Sequence, residues 1–225
     1  MEAVSLPLHE PIAARPRLRG VIHQYSAVVA VIAGIALVVG AAILRGPMAA
    51  VACAVYAIAI FGLFAVSASY HRITWRSAQT RKRMKRADHS MIFAFIAGTY
   101  TPFCALALPS PQRWWVLGVV WAGAIAGIVM KMAWPDAPRW LGVALYIALG
   151  WVIVVVAPTL VASAGLPVLL LLAAGGVLYS VGGICYALRR PDPWPSTFGY
   201  HEVFHAATAV AALLHYIAAW LVVTA

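Results

Sequence analysis

From position 23 to the end of the chain, apolar residues run in seven blocks, and polar and turn-forming residues collect in the short gaps between them. Each block is about 20 residues long, the length that carries a helix across a bilayer core at about 1.5 Å per residue. The pattern predicts transmembrane helices near residues 23–44, 48–71, 88–108, 114–132, 140–160, 168–188 and 200–222. The gaps hold ordinary helix punctuation: Arg45-Gly46-Pro47, Pro109-Ser110-Pro111, Pro135-Asp136-Ala137-Pro138, Gly165-Leu166-Pro167 and the segment RRPDPWPSTFG at 189–199. Residues 1–22, with Pro7, Pro11 and Pro16, read as an N-terminal tail. No internal repeat and no linker divides residues 23–222, so the expected fold is one all-α integral membrane bundle of seven helices.

Composition agrees with the pattern and excludes the soluble classes. Of 225 residues, 64% are hydrophobic and only 10% charged, outside the range of water-soluble domains. The formal net charge is +10. Basic residues are retained on the cytoplasmic side of a membrane. With the N-terminus cytoplasmic and the C-terminus outside, the inner segments carry Arg15, Arg17, Arg19, Arg72, Arg76, Arg81, Lys82, Arg83, Lys85, Arg86, Lys131, Arg139, Arg189 and Arg190. Only Arg45 and Arg113 face outward, so the charge is explained by inner loops near anionic lipid and calls for no nucleic acid. The first 20 residues lack a signal-peptide core, and the first block reads as a retained span. Cys53, Cys104 and Cys185 stand singly in three spans and read as small buried hydrophobes rather than a disulfide framework.

Ionisable groups inside spans are costly and mark candidate chemistry. Those here are His71, Asp88, His89, His201, Glu202, His205 and His215, with His23 at the edge of the first span. The topology sorts them. The second span ends at His71, the third starts at Asp88 and the seventh starts at His201, all at the cytoplasmic end, so distant parts of the chain meet at one membrane depth. Ser67 lies one helical turn from His71 on the same face. Three neutral imidazoles form an open zinc site, in which a nearby carboxylate can orient a water or take its proton. An isolated interfacial imidazole ordinarily bonds a carbonyl or a headgroup, and His23 and His89 are read that way. His215 lies ten residues beyond His205, about 15 Å along the helix, too far to share its metal. It is read as a hydrogen bond across the bundle.

The segment HEVFH at 201–205 also matches the H-E-x-x-H pattern of zinc peptidases, where the Glu is general base. Glu202 is rotated about 100° from His201, however, and Asp88 is a rival carboxylate. The Asp-Gly pair that accompanies such a helix in intramembrane metallopeptidases is missing. A retinal protein needs a lysine in its last span, and the last lysine here is Lys131. A G-protein-coupled receptor has the opposite orientation.

The set S-x-x-x-H at Ser67 to His71, Asp88 opening DHSMIFAFIAGTYTPF, and HEVFH followed by His215 resembles the hemolysin III family. That family belongs to the progestin and adipoQ receptor superfamily, with adiponectin receptors and, more distantly, alkaline ceramidases as relatives. The resemblance covers about residues 18–222. It implies a seven-helix bundle with zinc near the cytoplasmic face, held by His71, His201 and His205, with Asp88 and Ser67 holding the water. It also implies hydrolysis of a lipid amide such as ceramide. In the animal receptors the position of Glu202 need not be acidic, so HEVFH is read as a metal-ligand pair rather than a peptidase motif. Nothing resembles a secreted pore-forming toxin. Arginine outnumbers lysine 13 to 3 and alanine is abundant, which suits a GC-rich bacterial genome and an inner membrane.

Three functions fit these residues. The first is a zinc-dependent membrane hydrolase of a lipid amide or ester. The second is a receptor-like sensor or regulator of membrane lipid state in which zinc is structural. A channel or transporter is the third, with Pro102 and Pro158 as helix breaks. Kinks at those prolines, and a packing contact at Gly123-x-x-x-Gly127, are the plainer readings.

Overall fold

The computed structural model describes residues 16–134 and 136–225. The first fifteen residues of the expected tail, and Pro135 of the fourth gap, lie outside the described residues. Among the described residues the structure is helical without strands: α1 (Val21–Arg45), α2 (Pro47–Arg72), α3 (Ala78–Ala107), α4 (Ser110–Ala133), α5 (Arg139–Gly150), a 3-10 segment (Trp151–Val156), α6 (Ala157–Ala164), α7 (Leu166–Leu188) and α8 (Tyr200–Thr224). With the stretch Arg139–Ala164 taken as one, seven of these segments are long and apolar enough to cross a membrane.

Glycine and proline set the boundaries. Gly46, at φ 85°, is the single residue between α1 and α2, and Pro47 follows in the first turn, where its missing N–H costs nothing. Gly165, at φ 86°, does the same between α6 and α7. The third helix starts well before residue 88, because the Ser77 hydroxyl caps it by accepting from Thr80 N and no breaker stands before Pro102. Its first turns are the basic stretch TRKRMKR, which projects beyond the apolar part.

The fifth span is not a continuous helix. Pro158 lacks an N–H and its ring crowds the carbonyl four residues earlier, so the preceding turns tighten into the 3-10 segment. Tyr100 of α3 compensates. Its hydroxyl donates to Gly150 O at 2.7 Å and accepts from Ile153 N at 2.8 Å, so the interruption leaves these groups paired.

The helices close into a ring, with α1 against α2 and α8, α2 against α3, α3 against α4, α4 against α5, α5 against α7, and α7 against α8. The third helix also touches α5, α6 and α8 and carries much of the core, with Phe93, Phe103 and Ala97 buried. Small residues allow close approach: Gly34 faces Ala57, Gly98 faces Ala59 and Gly182 faces Ala207. The expected G-x-x-x-G contact is divided between two neighbours: Gly123 faces Leu149 of α5 and Gly127 receives the Phe93 ring of α3. Ile32, Ile43, Ile58, Val155, Leu170 and Leu213 point outward, the apolar exterior a bilayer requires.

Residues 16–20, expected to belong to the tail, are a built part of the fold. Arg17 N and Leu18 N donate to Ser196 O and Thr197 O at 3.0 and 3.1 Å, which ties the start of the described chain to the loop before α8. Gly20 then turns the chain into α1 at φ 79°, so close to α2 that a Cβ there would fall 2.6 Å from the Cβ of His71. This brings the starts of α1 and α8 together beside the end of α2.

Candidate metal centre

The last turn of α2 supplies His71, the N-terminal half of α3 supplies Asp88, and the first two turns of α8 supply His201 and His205. On α8 the two histidines stack because they are one turn apart. One ligand atom from each of His71, His201 and His205 lies within 4.8 Å of the others. His71 Nε2 and His201 Nε2 are 3.2 Å apart. Two nitrogens on one tetrahedral zinc, each bonded at 2.0–2.1 Å, would be about 3.3 Å apart. His205 is 2% exposed and its Nδ1 has no hydrogen-bond partner. Three converging imidazoles are the donor set zinc prefers. On these grounds His71, His201 and His205 fit the metal.

Asp88 approaches from the side, with Oδ2 3.7 Å from His71 Nε2. Ser67, one turn along α2, stands beside the Asp88 carboxylate in the same cavity wall. The five expected residues thus gather at one place, and four of them, Ser67, Asp88, His201 and His205, line one end of a cavity of about 170 Å³ inside the bundle. Apart from that end the walls are almost wholly apolar, with Phe95, Phe103, Ile153 and Leu172 among them. His215 lines its far end, where Nε2 bonds Leu172 O at 3.2 Å, the cross-bundle hydrogen bond expected of it.

Glu202 does not face this focus. It is 1% exposed, one oxygen accepts from Gly199 N at 2.9 Å, and the other is ion-paired with Arg19 Nε. Its carboxylate caps the N-terminus of α8 and binds the pre-α1 turn to it. His89 is likewise occupied, with Nδ1 2.7 Å from Lys85 O and Nε2 3.3 Å from Tyr186 OH.

His23 departs from the expectation of an interfacial imidazole. It is 2% exposed, and its ring stacks on that of His205 with centroids 3.8 Å apart and planes 13° from parallel. It also meets the Phe64 ring edge-on, with centroids 5.1 Å apart. The depth argument that united His71, Asp88 and His201 applies equally to His23, at the start of the first span and so at the same end of the bundle, and was the signal available for it. Arg19 carried no such signal, since its partner is fixed by the fold of residues 16–20.

The haemolysin-III related family matches residues 12–216 of the chain. Hemolysin-3 of Bacillus cereus is 33% identical over 183 residues, which span 81% of this chain and 80% of that protein. The hemolysin-3 homolog of Bacillus subtilis (strain 168) is 32% identical over 152 residues, 68% of each chain. The human monocyte to macrophage differentiation factor is 25% identical over 173 residues, covering 74% of this chain and 68% of its own.

Proposed function

The chain belongs to the haemolysin-III related family of multi-pass membrane proteins, and from that premise we propose that it is a zinc-dependent hydrolase of a lipid amide, ceramidase-like, in a bacterial inner membrane with the N-terminus cytoplasmic. The observation that carries this reading is the placement of three convergent imidazoles and a carboxylate at the end of an apolar cavity. The zinc, when bound by His71, His201 and His205, supplies a Lewis acid that polarises a carbonyl and acidifies a water. The remaining work belongs to the chain. The cavity receives an acyl chain and excludes bulk solvent from it. Asp88, with Ser67 beside it, orients a water and takes its proton as the water oxygen bonds to the carbonyl carbon. The same carboxyl returns the proton to the amine as the C–N bond breaks.

A regulatory reading, in which zinc is structural and the protein senses membrane lipid, draws on one distance. At 3.7 Å from His71 Nε2, Asp88 is near enough to swing in as a fourth ligand and close the coordination sphere. The two readings part in one experiment on purified protein in lipid. Metal content is measured alongside fatty-acid release from ceramides, N-acyl amides and phospholipids. The hydrolase reading expects stoichiometric zinc, loss of zinc on His71→Ala, His201→Ala or His205→Ala, retention on His215→Ala, and release from an amide substrate. Full zinc occupancy without His71 would sink the three-helix site, and an inert panel with zinc in place would favour the regulator.

A further inference from the structure

A second cavity, of about 60 Å³, lies at the same end of the bundle and serves no part in the proposed chemistry. Its walls bring together four cations from three helices: Lys85 and Arg86 of α3, Lys131 in the last turn of α4, and Arg139 opening α5. Tyr146 and Tyr186 complete it. Lys131 is not a snorkelling surface lysine, since it is only 8% exposed. Its Nζ rests against Gly142, where a Cβ would stand 2.7 Å away, so α5 leaves room for the ammonium where another residue would displace it. Arg86 Nε is buried without a hydrogen-bond partner. The Arg139 guanidinium lies over the Tyr186 ring, 5.6 Å from its centre, a contact that holds its face and leaves its N–H edge available. Both ion pairs found among the described residues lie elsewhere, at Arg19–Glu202 and His71–Asp88.

Four like charges around one small space repel one another, and burying an ammonium without a partner costs free energy. Among the described residues no carboxylate pairs with any of these four cations, whereas a small polyvalent anion would offset both terms. Cations approaching from three helices suit a tetrahedral acceptor, which takes charge-assisted hydrogen bonds from several directions. We infer that this cavity binds a phosphate group, carried either by a lipid headgroup at the membrane surface or by free inorganic phosphate. His89, Tyr146 and Tyr186 line both this cavity and the central one, so a phosphate held here stands beside the end of the bundle where the metal centre lies.

The test uses the full chain in a neutral detergent, titrated separately with phosphatidic acid and with inorganic phosphate at constant ionic strength. Bound ligand is read by native mass spectrometry and by the rise in Tm. Wild type is expected to bind one equivalent, and Lys131→Met and Arg139→Gln each to weaken binding about tenfold or more, the worth of one charge-assisted hydrogen bond. Arg139 is exposed, so its variant stays informative should Lys131→Met fail to fold. Combined replacement of the exposed Arg81, Lys82 and Arg83 by Gln should leave binding intact. Phosphatidic acid retained where phosphate is not assigns the cavity to a lipid headgroup, and saturation by phosphate alone assigns it to the soluble anion. Binding of neither, binding indifferent to Lys131 and Arg139, or equal loss in the Arg81, Lys82 and Arg83 variant overturns the inference. Zinc content is read on the same samples and does not depend on the result.

Discussion

Asp88 and Glu202 are both carboxylates near the same three imidazoles, and their surroundings give them opposite tasks. Glu202 spends both oxygens on Gly199 N and Arg19, while Asp88 faces His71 and Ser67. The H-E-x-x-H spacing places the two histidines on one face of α8, and the helix turns the glutamate between them about 100° away from His201. Asp88→Ala is therefore expected to keep the metal and to slow hydrolysis by about 10² to 10⁴, the usual worth of a general base. Loss of metal in that variant would instead make Asp88 a ligand and support the regulator. Glu202→Gln should leave the chemistry largely alone and lower the unfolding temperature. Breaking a buried ion pair costs about 3–5 kcal/mol, and the cost here is smaller because Arg19 is 19% exposed. A Glu202→Gln protein of unchanged stability and no activity would reverse the two roles. His23 adds a third expectation: His23→Phe, which preserves the stack on His205, should retain more zinc than His23→Ala, measured per mole of folded protein.

At the scale of the elements, helices and their breaks were legible wherever a single residue decides the backbone. Gly46, Gly165, Pro47 and Ser110-Pro111 mark ends that the chain obeys. The start of α3 was not legible, because hydropathy registers where a helix becomes apolar and not where its Ser77 cap stands. Nor was the response to Pro158, which depends on a tyrosine 58 positions away in sequence. Tyr100 holds Gly150 O and Ile153 N at the 3-10 segment, and inside a bilayer no water replaces it. Tyr100→Phe should thus destabilise the protein by about 1–3 kcal/mol per group left unpaired. Pro158→Ala lets the span run as an ordinary helix that satisfies its own backbone, so the Tyr100 penalty should shrink in the double variant. Thermal unfolding of the four proteins in the same detergent checks this. Equal penalties with and without Pro158 would mean that Tyr100 acts through packing alone.

For the whole molecule, membrane depth did most of what could be done without coordinates. Charge bias orients each span, and the residues at one end of several spans become a candidate site before any helix is packed against another. Depth does not say which helices are neighbours, so the closure of α1 onto α8 and the stack of His23 on His205 had to come from the structure. The two arginines at the other end of the bundle, Arg45 and Arg113, bear on the charge argument. Arg113 donates to Leu108 O at 3.0 Å and to Cys104 O at 3.2 Å, which covers carbonyls at the end of α3, and Arg45 stands in the last turn of α1, where a cation favours the helix dipole. Both serve helix ends, so neither argues for an inner position. The starts of α1 and α8 share one end of the bundle, and α8 is the seventh span, so Ala225 must lie at the opposite end from Arg19. Reporter fusions placed after Arg86 and at Ala225 should accordingly report the cytoplasm and the exterior. The same side for both would refute a seven-span bundle. Opposite sides in the reverse order would keep the bundle and place the histidines and the basic cavity at the outer face, where a cytoplasmic water or phosphate could not reach them.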